Sequence, residues 1–360
     1  MKEIDEKRKE IDKIDGELIR ILNQRAETAR EIGALKKTHH LEVYQPEREQ
    51  EIIEQVKSKT TLLHPENIES IWKEVIGACK AVQDSILNVG YLGPKGTFTH
   101  QAALRYFPKA GTKFIPKRNI SEIFESIEKG IMQFGVIPIE NSLQGTVRET
   151  LDLLIENDLI IFGEIELRIV QNLISLENAD IATINDIYSH PQGFAQTRMW
   201  IKSNFPNAKF HNTSSTAKAV KIVSELKDPS NAAIGPEIAS KVYGLKVLHS
   251  KIEDSHSNYT RFLVVSKEEN KISKGNIKTS IVFVTKHIPG ALYAAIKLFA
   301  DASINLLKIE SRPRRKGKWE YIFLMDFQGD ARNDPKIQKL MEEMKNIVIW
   351  HKILGSYPMN

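Results

Sequence analysis

The first 87 residues carry a helical apolar period that runs almost without glycine or proline. One stripe of apolar side chains recurs at helical spacing: Ile11, Ile14, Leu18, Ile21, Leu22, Ile32 and Leu35. Such spacing places side chains on one face of a helix. It predicts a helix over about 4–38, and two further helices over about 46–58 and 65–86. A single helix of the first length usually needs a partner to pack on.

From Val89 the pattern changes to short apolar runs that alternate with helical segments. Strands are predicted at 89–92, 112–115, 135–137, 187–190, 209–211, 232–235 and 261–265, with a glycine loop at Gly93–Gly96. Helices are predicted near 98–107 and 120–129. This alternation is typical of βαβ units, and two similar α/β halves predict a cleft between two lobes.

A polar stretch from Glu268 to Lys278 reads as a linker. A βαββαβ order follows it, with strands at 281–285, 304–311, 319–327 and 347–354 and helices at 290–302 and 334–345. That order is ferredoxin-like. The fold class is therefore multidomain, with an all-α module over 1–87, a two-lobed α/β module over 89–268 and an α+β module over 277–360.

Composition excludes several classes of protein. A net charge of +5 comes without a basic patch interleaved with aromatics, so no nucleic-acid partner is expected. The basic run Arg312–Lys316 lies between apolar runs and reads as an exposed turn. Cys79 is the only cysteine, and neither a metal site nor a cofactor motif is found. A charged N-terminus and the lack of a long apolar stretch predict a soluble cytoplasmic protein without a membrane partner.

The segment PIENSLQGTV, from Pro138 to Val147, places Glu140, Asn141 and Ser142 directly after a buried strand. Strand ends that lead into a helix, here expected from Thr146, are where open α/β sheets bind small ligands. A carboxylate, an amide and a hydroxyl within three residues indicate a site for a small polar molecule.

Two cationic side chains on the first helix could bind a small dianion between them. Arg25 and Lys36 are eleven residues apart, so they share a face at a Cα separation of roughly 16 Å. Arg8 falls about 100° away around the helix, and only a partner's copy reaches the same site.

The helical region, including RKEIDKIDGELIRILNQRAETAREIGALKK and VYQPERE, resembles the AroQ-type chorismate mutases. The resemblance implies an intertwined dimer in which Arg8 comes from the partner. Arg8, Arg25 and Arg48 would hold the two carboxylates, Lys36 and Gln83 would lie at the ether oxygen, and Glu49 would accept the hydroxyl proton. Gln45 and Cys79 depart from the Asp and Ser of many relatives.

The second module carries several polar motifs at strand ends. They are Gly93–Phe98, PIENS, His190–Gln192, Asn212–Ala217 and Asn258–Phe262. Ser214, Ser215 and Thr216 precede a helix and are N-cap candidates. Neither a nucleotide P-loop nor a Gly-x-Ser-x-Gly elbow is found.

These motifs resemble prephenate dehydratase, and fused mutase–dehydratases of phenylalanine synthesis share this order of modules. The resemblance implies that Thr260 is the essential hydroxyl donor, which Arg261 helps to place. Glu140, Asn141, Ser142 and Gln192 would bind and orient the substrate. Ser214 and Thr216 would bind a carboxylate.

The third module resembles the ACT domain. Gly290-Ala291-Leu292 and Glu310-Ser311-Arg312 match the phenylalanine-binding motifs of dehydratases, although His287 stands where Asn is common. The expected partners are chorismate, prephenate and the effector L-phenylalanine, in a homodimer or homotetramer assembled through the mutase and ACT modules. No cofactor is expected.

Two alternative interpretations remain. A non-catalytic ligand-sensing regulator is one, and Thr260-Arg261 beside PIENS argues against it. A dehydratase whose mutase module only dimerises is the other, and the retained cations Arg8, Arg25, Lys36 and Arg48 argue against that. The sequence leaves open whether arogenate is also a substrate.

Overall fold

The computed structural model describes residues 1–39, 45–83, 86–272, 275–313 and 321–359. The chain divides into two compact units, Met1–Asn88 with Leu104–Lys113, and Val89–Ala103 with Phe114–Asn360. The exposed turn predicted at Arg312–Lys316 is wrong for Arg312 and Pro313, which end a β-strand. The rest of that turn and the first two residues of the strand predicted at 319–327 lie outside the described residues. Within the described residues, no helix is long and apolar enough to cross a membrane.

The first unit contains three complete helices, α1 (Lys2–Thr38), α2 (Pro46–Lys59) and α3 (Pro65–Ala81), besides the segment Leu104–Lys113. A proline occupies the first turn of both α2 and α3, where its missing N–H costs no hydrogen bond. The predicted extension of α3 to residue 86 is wrong. Gln83 N–H donates to the Lys80 carbonyl three residues back, which tightens the chain into a turn after Ala81.

Helix α1 buries very little of its surface within the chain. Every residue from 1 to 21 is exposed, and Ala29 and Gly33 are its buried positions. Its apolar stripe therefore faces solvent in the single chain, with Ile14 65% and Leu18 50% exposed.

The second unit is built on three sheets. The first has the strand order β2-β1-β3-β11-β5, with β4 paired to β3. Its strands are β1 (Leu87–Leu92), β2 (Thr112–Lys117), β3 (Phe134–Asn141), β4 (Gly145–Thr146), β5 (Ile160–Arg168) and β11 (Tyr259–Ser266). Its helices are α4 (Phe98–Tyr106), α5 (Ile120–Glu128) and α6 (Arg148–Glu156).

The prediction that a helix begins at Thr146 is wrong. Gly145 and Thr146 pair with Asn141 and Glu140 as strand β4, and Val147 N–H donates to the Ile139 carbonyl over 2.8 Å. These strand-type bonds keep the backbone extended, so α6 begins at Arg148.

The second sheet has the order β10-β6-β9-β7-β8. Its strands are β6 (Asn172–Ser175), β7 (Asp186–Ser189), β8 (Lys209–Asn212), β9 (Asn231–Gly235) and β10 (Lys246–His249). Its helices are α7 (Pro191–Gln196), α8 (Arg198–Asn204), α9 (Thr216–Leu226) and α10 (Glu237–Tyr243). The chain enters this sheet after β5 and returns as β11, which pairs with both β3 and β5. Sequence analysis missed β5, β6 and β10.

The third sheet is antiparallel, with the order β13-β14-β12-β15. Its elements are β12 (Ile277–Thr285), α11 (Ala291–Asp301), β13 (Leu306–Pro313), β14 (Tyr321–Gln328), α12 (Pro335–Ile347) and β15 (Val348–Pro358). The βαββαβ order is as predicted. The predicted linker is shorter than expected, because β12 already begins at Ile277 and Asn270 is buried, donating to the Phe162 carbonyl over 2.7 Å.

The third sheet is covered on both faces. Phe283 and Met325 pack with α11 and α12, whereas Val282 and Leu324 join the core of the first sheet beside Ile137. Gly355 permits the close approach of β15 to β5, because a Cβ there would lie 2.3 Å from the Ile161 carbonyl oxygen.

Candidate active sites

Strands β3 and β11 bring two predicted site residues together. Thr260 lies opposite Asn141 in the register of the two strands, and both side chains are buried. Asn141 Nδ2 donates to Thr260 Oγ1 over 2.9 Å and to Asn258 Oδ1 over 2.7 Å.

The Asn141 amide is fixed in orientation by the backbone. Its Oδ1 accepts from Leu143 N–H at 3.1 Å and Gln144 N–H at 3.2 Å, so its amino group must face Thr260. A hydroxyl that accepts one hydrogen bond still has its own proton to donate. The Thr260 hydroxyl is therefore set up as a donor.

Glu140 and Arg261 lie on the opposite face of the same two strands. Neighbouring residues of a strand point to opposite sides of the sheet, and Glu140 is the register partner of Arg261. Arg261 donates to Glu164 at 2.7 Å and pairs with Asp326 at 2.7 Å, while Glu140 lies 4.0 Å away. The predicted cluster of Glu140, Asn141, Thr260 and Arg261 is thus divided between two faces.

Arg261 belongs to a buried charged cluster that reaches the third sheet. Its Nη2 donates to Tyr357 Oη at 3.1 Å, and Lys278 pairs with Glu164 at 2.6 Å. Burial acts to lower the pKa of Arg261, but Tyr357, Asp326 and Glu164 together raise it above its ordinary value. The guanidinium therefore stays charged in this cluster.

The predicted regulatory strand β13 contacts the first sheet directly. Lys308 Nζ bonds Glu140 Oε2 at 2.5 Å. The hydroxyl of Thr146 donates to Glu310, and Arg312 pairs with Asp152. Three alternate residues of β13 therefore touch PIENSLQGTV or the helix that follows it.

The remaining predicted regulatory residues are accessible. Gly290 is exposed at the N-cap of α11 with φ +81°, a left-handed conformation that favours glycine. Ala291 and Leu292 are half-buried in the first turn, and Ser311 is exposed.

Ser142 braces the start of β11. Its hydroxyl donates to the Ser257 carbonyl at 3.1 Å and accepts from Tyr259 N–H at 3.0 Å. These bonds give it a structural role beside Thr260.

The predicted residues of the second sheet share one edge. Ser215 is the N-cap of α9, accepting from Lys218 N–H. Thr216 approaches the start of α7, because a Cβ on Gly193 would lie 3.2 Å from Thr216 Cγ2. Gln192 is half-buried in the first turn of α7, and Ser214 is exposed.

His100 lies under the glycine loop. Its Nδ1 accepts from Gly96 N–H at 3.1 Å, and its ring stacks on Tyr91 with centroids 4.5 Å apart. Burial, aided by Lys95, lowers the pKa of His100 to about 4. The imidazole is consequently neutral at pH 7.

In the first unit, the three helices bring Lys36, Glu49 and Lys80 together. Glu49 carries an ion pair to Lys80 at 2.9 Å, and Lys36 Nζ donates to Gln45 Oε1 at 3.1 Å. Burial lowers the pKa of Lys36, which Glu49 opposes and Lys80 reinforces.

Gln83 is seated against α1, because a Cβ on Gly33 would lie 2.8 Å from Gln83 Cβ. Its Oε1 is buried without a hydrogen-bond partner among the described residues.

The three predicted arginines of this site are exposed or half-buried. Arg8 is exposed on the first turns of α1, 3.4 Å from Asp5. Arg48 is exposed and bonds Glu51 at 2.9 Å, and Arg25 is half-buried. The single chain therefore brings Lys36 and Glu49 together but leaves Arg8 at the other end of α1 from Lys36.

Sequence analysis missed several residues of both sites. Lys80 lies one turn before Gln83, a spacing that signals a shared face. Asp326 is an acid inside the apolar strand YIFLMDFQ, and a charge in such a run signals a buried pair. Asn258, 1% exposed, was noted only as part of a motif. Across the described ranges, His, Cys, Asp and Glu nowhere form a group that could hold a metal.

Two family models match the chain. Residues 7–84 match chorismate mutase type II, and residues 89–270 match prephenate dehydratase. A bifunctional chorismate mutase/prephenate dehydratase of Aquifex aeolicus is 40% identical over 363 residues, covering 99% of this chain and 98% of that protein.

Solved structures match the fold over 76% of the chain. Prephenate dehydratase from Arthrobacter aurescens in complex with L-Phe aligns with a TM-score of 0.68 at 32% identity, over 90% of that chain. GqqA, described as a novel type of quorum quenching acylase, aligns with a TM-score of 0.68 at 26% identity, over 98% of that chain. Since proteins of different activity share the fold, the chemistry must be argued from side chains and from the full-length match.

Proposed function

Because this chain belongs to the family of bifunctional chorismate mutase/prephenate dehydratases, we propose that its mutase site is built around Lys36, Glu49 and Gln83 and its dehydratase site around Thr260 and Asn141. The enzyme acts in phenylalanine biosynthesis and catalyses two consecutive reactions. It rearranges chorismate to prephenate and converts prephenate to phenylpyruvate.

The first reaction is a pericyclic shift, so the protein supplies orientation and charge complementarity rather than a nucleophile. Arg25 and Arg48 hold carboxylates of the substrate, since guanidinium pairs with them bidentately. Lys36 and Gln83 donate to the ether oxygen, which gains negative charge as its bond breaks. The half-buried Gln83 side chain, whose Oε1 is shielded from solvent and whose Cβ packs on Gly33, supports a fixed role for this amide.

The second reaction makes the ring aromatic by losing carbon dioxide and water. Electrons released from the departing carboxylate expel the ring hydroxyl, which needs a proton to leave as water. Thr260 donates a hydrogen bond to that oxygen, because Asn141 occupies its acceptor side. A hydroxyl is a weak acid, so this bond stabilises the charge on the departing oxygen, and the proton that completes the water molecule comes from solvent. The Asn141–Thr260 bond is the observation that carries the proposal.

The other predicted substrate contacts complete the dehydratase site. Gln192, Ser214 and Thr216 bind substrate from the second sheet, where the start of α9 favours a carboxylate. From the first sheet, Ser142 braces the strand that carries Thr260. Glu140 and Arg261 lie on the opposite face of β3 and β11, so they position these strands rather than contact the substrate. The two sheets form the lobes of a cleft of periplasmic-binding-protein type.

The third sheet with its two helices is an ACT regulatory domain that binds L-phenylalanine at Gly290–Leu292 and Glu310–Arg312. The complex of the Arthrobacter relative with L-Phe supports this assignment. Phenylalanine biases a two-state equilibrium. Because Lys308, Glu310 and Arg312 contact Glu140, Thr146 and Asp152, a ligand that shifts β13 changes the geometry of the dehydratase sheet.

The protein is a homo-oligomer that pairs through α1. An apolar stripe exposed over 21 residues supports this, because such surface is normally covered. The pairing delivers Arg8 of the partner subunit to the mutase site.

One set of assays tests these assignments. The wild type should convert chorismate and prephenate to phenylpyruvate, and phenylalanine should slow the second step. Thr260→Val should lower prephenate turnover by a factor of about 10²–10⁴, the usual range for a positioned proton donor, while chorismate turnover stays normal. Conversion of neither substrate by the wild type would favour the regulator, and full dehydratase activity in Thr260→Val would reject Thr260 as donor.

A further inference from the structure

Lys80 joins α3 to α2 at the mutase site through a shielded ion pair. Its Nζ lies 2.9 Å from Glu49 Oε1 and 3.1 Å from Oε2. The two side chains are only 12% and 21% exposed. Both carboxylate oxygens therefore share one ammonium, which fixes the orientation of the carboxylate.

The other charged groups around Glu49 come from all three helices. Lys36 of α1 lies close enough that Glu49 raises and Lys80 lowers its pKa, within a net lowering caused mainly by burial. On α2 itself, Arg48 bonds Glu51. Lys36, Glu49 and Lys80 thus form one electrostatic group of net charge +1.

A carboxylate is an unusual neighbour for a substrate that carries two carboxylates. Like charges that share a poorly solvated site repel strongly. An acceptor for the substrate hydroxyl is nevertheless useful, and a carboxylate keeps free lone pairs when each oxygen accepts one hydrogen bond. A cation bonded to Glu49 would remove the repulsion and preserve the acceptor.

We infer that Lys80 is a positioning residue of the mutase site, which neutralises Glu49 and holds its carboxylate so that the pocket accepts a dianion. The inference rests on the mutase site proposed above. It adds a residue whose role is exerted through Glu49 rather than by contact with the reacting atoms.

The competing explanation is that Lys80–Glu49 only fastens two helices together. The chain offers a matched pair for comparison, because Lys57 of α2 and Glu69 of α3 join the same helices at 3.1 Å. These side chains are 30% and 28% exposed. Lys57→Met therefore measures how the loss of an ion pair between α2 and α3 alone affects KM.

The test compares Lys80→Met, Lys80→Arg and Lys57→Met in the full-length enzyme, measuring kcat and KM for chorismate. Lys80→Met should raise KM roughly tenfold or more, because the shielded carboxylate loses the ammonium that neutralises it. Lys80→Arg should stay within about threefold of the wild type, since the charge is kept. Lys57→Met should leave KM unchanged.

A double variant separates the charge from the acceptor. The double variant Glu49→Gln, Lys80→Met should have a KM lower than that of Lys80→Met and near the wild-type value. Its kcat should stay low, because an amide is a weaker acceptor than a carboxylate for the substrate hydroxyl. Turnover of prephenate by each variant reports on folding of the same chain.

An equal KM in Lys80→Met and Lys57→Met would overturn the inference. Lys36→Ala shows whether the role of Lys80 or the proposed mutase site itself is wrong. If Lys36→Ala is inactive on chorismate while Lys80→Met behaves as the wild type, the site stands and Lys80 has no part in it. If Lys36→Ala is fully active, the site assignment is wrong.

Discussion

The Asn141 side chain acts on Thr260 by donating a hydrogen bond to its hydroxyl oxygen. Two backbone N–H groups hold its carbonyl oxygen, and its amino group then faces Asn258, the Tyr259 carbonyl and Thr260. Because Thr260 accepts a hydrogen bond from this group, its own proton stays available for donation. The Thr260 hydroxyl is thereby set up as a hydrogen-bond donor by its position, not by a stronger acidity.

His100 makes the second unit sensitive to acid. Its pKa is lowered to about 4 in the folded chain, against about 6.5 when unfolded. The unfolded chain therefore binds more protons between these values, and stability that is fully present above about pH 6.5 falls as the pH drops toward 4. The loss reaches about 3 kcal/mol. Scanning calorimetry between pH 7 and pH 4 should show it as a falling transition temperature.

His100→Gln should flatten that dependence, because glutamine does not titrate. His249→Gln is the matched control, since His249 is exposed in the same unit. Equal pH slopes in the wild type and His100→Gln would show that other groups cause the acid sensitivity.

At the scale of residues, the sequence predicted which side chains belong to the sites better than it predicted which of these side chains lie together. PIENS and Thr260-Arg261 were each read as one polar cluster. Strand alternation sends Asn141 and Thr260 to one face and Glu140 and Arg261 to the other. The pairing of β3 with β11, 117 or more residues apart along the chain, decides which neighbours meet, and no local pattern contains it.

At the scale of elements, helix α1 carries a surface that its own chain does not cover. Leu18 lies on the apolar stripe and is 50% exposed, so a second copy of the helix would bury it. Leu18→Glu should convert the oligomer to a smaller species and lower chorismate turnover by roughly ten- to hundredfold, as expected when a central interface residue is lost. Light scattering after gel filtration measures the mass.

Arg20→Glu places the same new charge on the opposite face of α1 and should leave the mass unchanged. Prephenate turnover should survive in Leu18→Glu. An unchanged mass for that variant would show that the stripe is not the contact between copies.

Strand β5 was not predicted from the sequence for a physical reason. Strand β5 reads IIFGEIELR, with Glu164 and Glu166 inside it, which obscures a buried strand. Glu164 is tolerated because Arg261 and Lys278 neutralise it. The helices of the first unit were predicted closely since their period is local, whereas β5 depends on charges supplied from β11 and β12.

At the scale of the whole molecule, Lys308 links the third sheet, the proposed effector module, to the first sheet. It bonds Glu140 at 2.5 Å and Glu310 at 3.1 Å. Lys308→Met should weaken inhibition by phenylalanine about five- to hundredfold in concentration, the usual range of a coupling free energy. Inhibition curves of prephenate turnover measure this shift.

Lys336→Met provides the comparison, because Lys336 is an exposed residue of α12 in the same module. Calorimetric titration with phenylalanine should show that Lys308→Met still binds it. If inhibition is unchanged in Lys308→Met, the effect of phenylalanine travels by another route.

The return of the chain from the second sheet to the first also governs when the enzyme can fold. Strand β11 lies between β3 and β5, yet it is synthesised about ninety residues after β5 has left the ribosome. Until Ser266 emerges, both older strands present an open edge, the kind of surface on which nascent chains associate wrongly. A message truncated before Tyr259 would consequently yield an aggregating fragment rather than a free-standing lobe.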